Sequence, residues 1–239
     1  MNETTAALVT GGSRGIGAAV ALRLAEAGSD VALTYTADEE SADRTVALIE
    51  KTGRRGLAIR ADAADPASAA EAVERTVAAF GRLDVLVNNA AVFLTGDLDL
   101  DALDRTLDVN VRAPYLTSLA AARHLTGDGR IVTIGSNLNG RLPFPGLTAY
   151  AMSKSAMTGL TKGLARDLAP RGITVVLVNP GPTDTDANPA GGPAAATIAA
   201  LTATGRYATP AEIAETVLYA CTAPYLTGSV LTVDGGFTI

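Results

Sequence analysis

Tyr150 and Lys154 stand four positions apart in the stretch LTAYAMSKSA. On a helix that spacing sets a phenol and an ammonium side by side on one face. A neighbouring ammonium favours the phenolate, lowering the tyrosine pKa from its reference of ~10 towards the range where tyrosine exchanges a proton with an alcohol or ketone. The same pair is ordinary on a solvated helix surface, so its chemistry depends on what the rest of the chain brings to it. Ser136, fourteen positions earlier, ends the apolar run RIVTIG and offers a hydroxyl. Other candidates are weaker. His124 is the single histidine, so a Ser-His-Asp triad would have to use a residue that ends a helix. The lone thiol, Cys221, reads as a small core residue. Asp99, Asp101, Asp104 and Asp108 crowd together at the start of a helix, where acids complement the dipole, and no metal site is expected from them.

A second cluster lies near the amino end. The apolar run AALV at 6–9 leads into TGGSRGIG, and a helical pattern over 18–27 follows, closed by Gly28. Strand, glycine-rich turn and helix together form the setting of a phosphate-binding loop. Gly11, Gly15 and Gly17 would give a tight turn, close main-chain approach to a pyrophosphate and close helix packing, with Ser13, Arg14 and Ile16 between them. Asp62, followed by Ala63, comes after the third strand, where a carboxylate can accept a hydrogen bond from an adenine amino group. Asn88, Asn89 and Ala90 end the fourth strand, at the edge where parallel sheets bind ligands. The second strand ends in Thr34, Tyr35 and Thr36, without the acid that would hold the ribose hydroxyls of NAD. Arg14 can pair with a 2′-phosphate. NADP(H) is therefore favoured over NAD(H), with Asp38 nearby as the counter-indication.

The elements that must position these residues alternate. Strands are expected at 31–35, 57–60, 83–87, 130–135, 173–178 and 229–233 after the first, and helices at 39–51, 67–80, 150–168 and 211–220. A longer helical region at 100–124 contains Pro114, which should kink or break it. Asp65 and Pro66 read as a helix cap and first helical position. Such alternation implies right-handed crossovers and a parallel sheet covered on both faces, in one α/β domain spanning 1–239. Residues 180–205 are rich in Pro, Gly, Ala and Thr without a clear period, and 182–205 are expected to form a substrate lid. The composition is 48% hydrophobic and 18% charged with a net charge of −6, which argues against a nucleic-acid partner. The single cysteine fits a reducing, cytoplasmic setting, and no apolar run approaches the ~18 residues of a membrane span.

Taken together the motifs resemble those of the short-chain dehydrogenase/reductase family. TGGSRGIG, NNA at 88–90, Asn110 in DVNV, Ser136 in IGS, the Tyr150–Lys154 pair and PGPTDT at 180–185 occur in that family's order and intervals, down to TVDGG at 232–236. The likeness is greatest to 3-oxoacyl-carrier-protein reductases, through SRGIG, PRGITV at 170–175 and TVDGG. It implies a Rossmann-type doubly wound fold, a seven-stranded parallel sheet in the order 3-2-1-4-5-6-7 with helices on both faces. It also implies roles: Ser136 orients the reacting oxygen, Tyr150 is the acid in reduction and base in oxidation, and Lys154 lowers the Tyr150 pKa and bonds the nicotinamide ribose. Asn110 would hold a relay water on its backbone. Pro180, Gly181 and Thr183 would face the carboxamide, and Thr185 the pyrophosphate. Leu138, Asn139, Leu142, Phe144 and the lid over 186–205 are the nominated pocket walls. Three departures stand out: Ala91 follows NNA where the family has glycine, the serine-to-tyrosine interval is one residue longer than usual, and Ala63 replaces a larger apolar residue.

The implied activity is NADPH-dependent reduction of a ketone or 3-oxoacyl group to a secondary alcohol. The alternative is an NADP-binding sensor or scaffold without turnover. Arg171 could support an acidic carrier, whereas the acidic turn Gly127-Asp128-Gly129 speaks for a free ketone or acyl thioester. The family resemblance further implies a homotetramer or homodimer.

Overall fold

The computed structural model of the protein describes residues 4–239. Seven strands form one sheet: β1 (Thr5–Val9), β2 (Ser29–Tyr35), β3 (Gly56–Arg60), β4 (Val85–Asn88), β5 (Arg130–Ile134), β6 (Thr174–Pro180) and β7 (Ser229–Val233). All neighbours pair in parallel, in the order β3-β2-β1-β4-β5-β6-β7. The doubly wound α/β architecture expected from the sequence is the one the chain adopts. Strands β2, β4, β5 and β6 are buried at every residue, and β1 at all but Thr5, as their apolar runs require when both faces are covered.

Strand β1 shows how the two layers are built. Ala7 and Val9 pack with Val20 and Leu24 of α1 (Gly15–Glu26), Ile49 of α2 (Glu39–Lys51) and Val217 of α8 (Pro210–Thr222). Leu8, between them, points the other way. It joins Val73 of α3 (Pro66–Phe80), Ala121 of α5 (Ala113–Ala122) and Leu164 of α6 (Thr148–Leu168). Strand order reverses at the neighbouring pair β1 and β4, which opens a crevice outside their carboxyl ends.

One expectation is met and another corrected. The helical region at 100–124 is broken near Pro114, as expected, into α4 (Leu100–Leu107) and α5, joined by a π-helical turn over Asp108–Arg112. Pro114 explains the break, because it has no N–H to offer the Asn110 carbonyl one turn earlier. The 180–205 segment is not wholly irregular: it carries α7 (Ala195–Ala199), an Ala-rich turn of helix with no amphipathic period to betray it. Pro182 and Asp184 exchange main-chain hydrogen bonds with Ala208, and the Arg206 guanidinium donates two bonds to the Glu212 carboxylate at the start of α8. That carboxyl is held down to about 2, first by Arg206.

Candidate active site

A cavity of about 660 Å³ lies along the carboxyl edge of β1, β2, β4, β5 and β6. Its dinucleotide end is the glycine turn between β1 and α1. Gly11 and Gly15 have φ of 63° and 55°, a left-handed backbone that side chains rarely adopt. A Cβ on Gly17 would run into the Gly11 carbonyl oxygen. Asn89 fixes this turn: its side-chain amide donates to the Thr10 and Gly11 carbonyls at 3.0 and 2.9 Å. Thr34 Oγ1 accepts the Gly11 N–H at 2.9 Å. What remains for a ligand is the first turn of α1, whose N–H groups lack helical acceptors and point at the cavity.

Gly11, Ser13, Arg14, Gly15, Ile16 and Gly17 all line the cavity, as do Tyr35, Thr36, Asp62, Ala63, Asn89, Ala90, Pro180, Gly181, Thr183 and Thr185. Arg14 is exposed at the turn. Asp38, the counter-indication to NADP(H), caps α2: its carboxylate accepts the Ser41 N–H at 3.0 Å and the Ser41 hydroxyl at 2.6 Å. Those bonds hold its carboxyl below the usual range. Asp62 accepts the Ala64 N–H at 3.0 Å and faces the Arg105 guanidinium at 3.4 Å, a cavity-lining cation that sequence pattern did not single out.

At the other end Ser136 follows β5. Its N–H donates to Asn179 Oδ1 at 3.1 Å, and its Oγ accepts the Leu138 N–H at 3.2 Å. One lone pair is thereby occupied and the hydroxyl proton is left to point elsewhere. A Cβ on Gly135 would strike Asn179 Oδ1, so glycine is needed there for the amide to reach Ser136. Tyr150 stands beside Ser136, in the first turn of α6. Burial pushes its phenol up to about 12, with the Ser136 hydroxyl drawing it part of the way back. Lys154 is buried, and its Nζ donates to the Ile134 carbonyl at 2.9 Å. Burial brings its ammonium down to about 8. The expected lowering of the tyrosine pKa by the lysine is therefore not what this site shows. Nζ lies 5.9 Å from the Tyr150 ring centroid, and loss of water outweighs attraction across that gap.

Asn110 sits one layer behind the cavity. Its side chain accepts the Val92 N–H, and donates to the Val92 carbonyl and to Ser153 Oγ, each within 3.0 Å. With Pro114 at i+4 its own carbonyl is left without an α-helical donor. Of the nominated walls, Leu138 and Phe144 line the cavity; Asn139 and Leu142 do not, and Leu142 is 54% exposed. The expected lid contributes Ile198, from α7. Two aromatic wall residues escaped sequence reasoning: Phe93 lays its ring edge-on to Tyr150, centroids 4.6 Å apart, and Phe237 folds back from the chain end under Arg141, which donates to its carbonyl at 2.8 Å. Only Phe93, close after NNA, carried a signal in its position.

The remaining acids and the histidine do other work. Asp99 caps α4, Asp108 pairs with Arg112, and His124 meets Glu74 at 2.9 Å. Cys221 is buried in the core, its thiol pushed up to about 12.

A family model described as enoyl-(acyl carrier protein) reductase matches residues 11–238. The chain is 52% identical to a short chain dehydrogenase of Burkholderia cenocepacia J2315 solved in complex with NADP, over 98% of each chain, with a TM-score of 0.97. It is 42% identical to the cyclic-di-GMP-binding biofilm dispersal mediator protein of Escherichia coli K12, covering 96% of this chain and 95% of that one. To the 3-oxoacyl-(acyl-carrier-protein) reductase of a Synechocystis species it is 35% identical, over 98% and 96% of the two chains. With this likeness running nearly end to end, the setting of Tyr150 has a plain kinship: the chain belongs to the short-chain dehydrogenase/reductase family.

Proposed function

We propose that the protein is an NADPH-dependent carbonyl reductase, interconverting a ketone and a secondary alcohol. The observation that carries this is the Ser136–Tyr150 pair at the strand edge, with Lys154 buried behind it and the glycine turn at the other end of the same cavity.

The residues present fit an NADP(H) molecule. The glycine turn has no room for side chains, the first turn of α1 offers N–H groups to a pyrophosphate, and Arg14 stands exposed beside it. Asp38 turns its carboxylate to the N–H and hydroxyl of Ser41 but keeps its charge, and Arg14, whose charge acts on Asp38, is the cation at hand to offset it for a 2′-phosphate. The relative solved with NADP agrees with this reading. When bound, the cofactor supplies the hydride. Ser136 donates its hydroxyl proton to the substrate carbonyl and orients it. Tyr150, protonated throughout the neutral range with its pKa near 12, gives its proton to the same oxygen. Lys154, its Nζ 5.9 Å from the Tyr150 ring centroid, keeps a positive charge on the side of the phenol as that proton leaves, and the Asn110 carbonyl, which Pro114 cannot serve as an α-helical donor, is where a water could restore it.

The 182–205 segment, with α7 and its Arg206–Glu212 anchor, acts as the substrate lid. The carrier question turns on position. Arg171 donates to the Leu125 carbonyl at 2.8 Å, and with the 127–129 turn it lies at the amino edge of β5 and β6, away from the cavity. Neither bears on a carrier at the cavity mouth, and a free ketone is the better fit. Leu119 and Met152, 39% and 50% exposed, could serve assembly into a dimer or tetramer, while Ala120 and Ala121 are used inside the chain's own core. No described helix is long and apolar enough to cross a membrane, and the lone buried thiol fits a cytoplasmic setting.

A second reading, a nucleotide binder without turnover, draws on the cyclic-di-GMP-binding relative. Against it stands the Ser136–Tyr150 pair, which a binding module does not need. Tyr150→Phe decides between them. The hydroxyl is lost and the ring kept, so NADPH oxidation followed at 340 nm should fall by at least ~1,000-fold while NADPH fluorescence titration changes little. Wild-type protein that binds NADPH tightly and reduces no ketone across a broad panel would establish the binder instead.

A further inference from the structure

The chain has four phenylalanines and no tryptophan. Three of the four, Phe93, Phe144 and Phe237, line the cavity at its Tyr150 end. They come from three separate stretches: the loop after β4, the loop before α6 and the chain terminus. Phe93 packs edge-on against Tyr150, 4.6 Å between centroids at 85°. Phe237 is 2% exposed and held in place from outside, by the Arg141 guanidinium 5.6 Å from its ring centroid and by the bond to its carbonyl. Phe144 is 40% exposed at the rim. In a chain only 4% aromatic, this concentration at one end of one cavity is a built surface.

The charge pattern is equally one-sided. The cavity's two arginines, Arg14 and Arg105, belong to the dinucleotide end, one at the glycine turn and the other facing Asp62. At the aromatic end the one cation is Lys154, buried and donating to the Ile134 carbonyl. Arg141 lies over Phe237 and is not part of the wall. Asp234, behind Gly181, spends its carboxylate on Gly236 and Thr238. Asp186, the remaining charged lining residue near the lid, would repel an anion. A carboxylate or phosphate on the substrate finds no partner here, whereas a flat ring finds aromatic surface, chiefly on Phe93 and Phe144, 49% and 40% exposed, with the nearly enclosed Phe237 completing the wall.

We infer that the substrate is an uncharged ketone bearing an aromatic ring next to its carbonyl, seated among Phe93, Phe144 and Phe237 with the oxygen towards Ser136 and Tyr150. This rests on the carbonyl reductase reading above and narrows it. The step balances simply: the carbonyl carbon gains a hydride from NADPH, the oxygen gains the Tyr150 proton, and NADP⁺ and an alcohol leave.

Steady-state NADPH oxidation would be compared for acetophenone, 4-acetylbenzoate and S-acetoacetyl-N-acetylcysteamine. Acetophenone should exceed both others in kcat/KM by at least about tenfold. Phe144→Ala, at the rim, should lower kcat/KM for acetophenone, mostly through KM, by about fivefold or more beyond any loss it causes for the acyl thioester, and an equal loss for both would deny the ring a role in choosing the substrate. Equal or better use of the carboxylated ketone or of the thioester overturns the inference while leaving the reductase reading intact. Failure to reduce any of the three overturns the inference, and failure across a broad ketone panel as well, with NADPH still bound, overturns both.

Discussion

At the scale of single residues the site is governed by burial. Lys154 is carried into the interior with one hydrogen-bond partner, and its ammonium titrates near 8 instead of near 10.5. Because Lys154 loses its charge above that value, ketone reduction should hold steady below about pH 8 and fall above it. Tyr150, near 12, stays protonated across the whole range and adds no limb of its own. A pH profile of kcat/KM with no break near 8 would remove Lys154 charge from the account. The stability consequence has a definite sign. The folded state disfavours the charged lysine, so the unfolded chain binds the extra proton between about 8 and 10.5 and stability rises with pH over that window. At pH 7 that cost is fully present. Lys154→Met should therefore raise the melting temperature at pH 7, measured by calorimetry, while lowering turnover by at least ~100-fold. The sequence made the Tyr–Lys spacing visible but not its electrostatics. A four-residue interval says that two groups are neighbours on a helix, and nothing about how much water the fold leaves around them.

Elements explain why the glycines cannot be exchanged. Gly17 lies in the first turn of α1, packed so closely on the preceding loop that any side chain meets the Gly11 carbonyl and the Asn89 amide. Gly17→Ala should cost several kcal/mol of stability, on the order of a severe overpacking defect. NADPH affinity should weaken by at least ~100-fold in the fraction that folds, read by cofactor fluorescence. Near-wild-type binding would mean that the turn yields and that the cradle is not rigid. Strand and helix alternation was legible because apolar runs and amphipathic periods are set by the two covered faces of the sheet. Helix starts were less so: α1 begins at Gly15, inside the turn, since glycine carries no helical signal. The π-helical turn at Asp108–Arg112 was hidden for another reason. Proline announces a lost hydrogen bond, but whether the chain kinks or widens depends on the Val92 and Ser153 groups that hold Asn110 from outside the helix.

For the whole molecule the cavity is a joint between parts far apart in sequence, from Gly11 to Phe237. A ligand that bridges β1, β2, β4, β5 and β6 stabilises all of them at once, so NADPH at about one hundred times its Kd should add ~2.7 kcal/mol. For a chain of this size that is a rise in melting temperature of roughly 5–10 °C. NADH at equal concentration should raise it less if Arg14 engages the 2′-phosphate, and equal shifts would deny Arg14 that role. Of the aromatic wall only Phe144 was legible, because Phe93 and Phe237 share no motif with it and are brought to it only by the fold. Their dispersal has an evolutionary consequence. Ser136, with the Asn179 amide that holds its main chain, is anchored at the carboxyl ends of β5 and β6, where even Gly135 has no freedom to vary. Phe144 and Ile198 hang from loops and a short helix that carry no sheet register. Variation can therefore accumulate in what the pocket accepts without passing through a loss of catalysis, and descendants of this chain can change diet one substitution at a time.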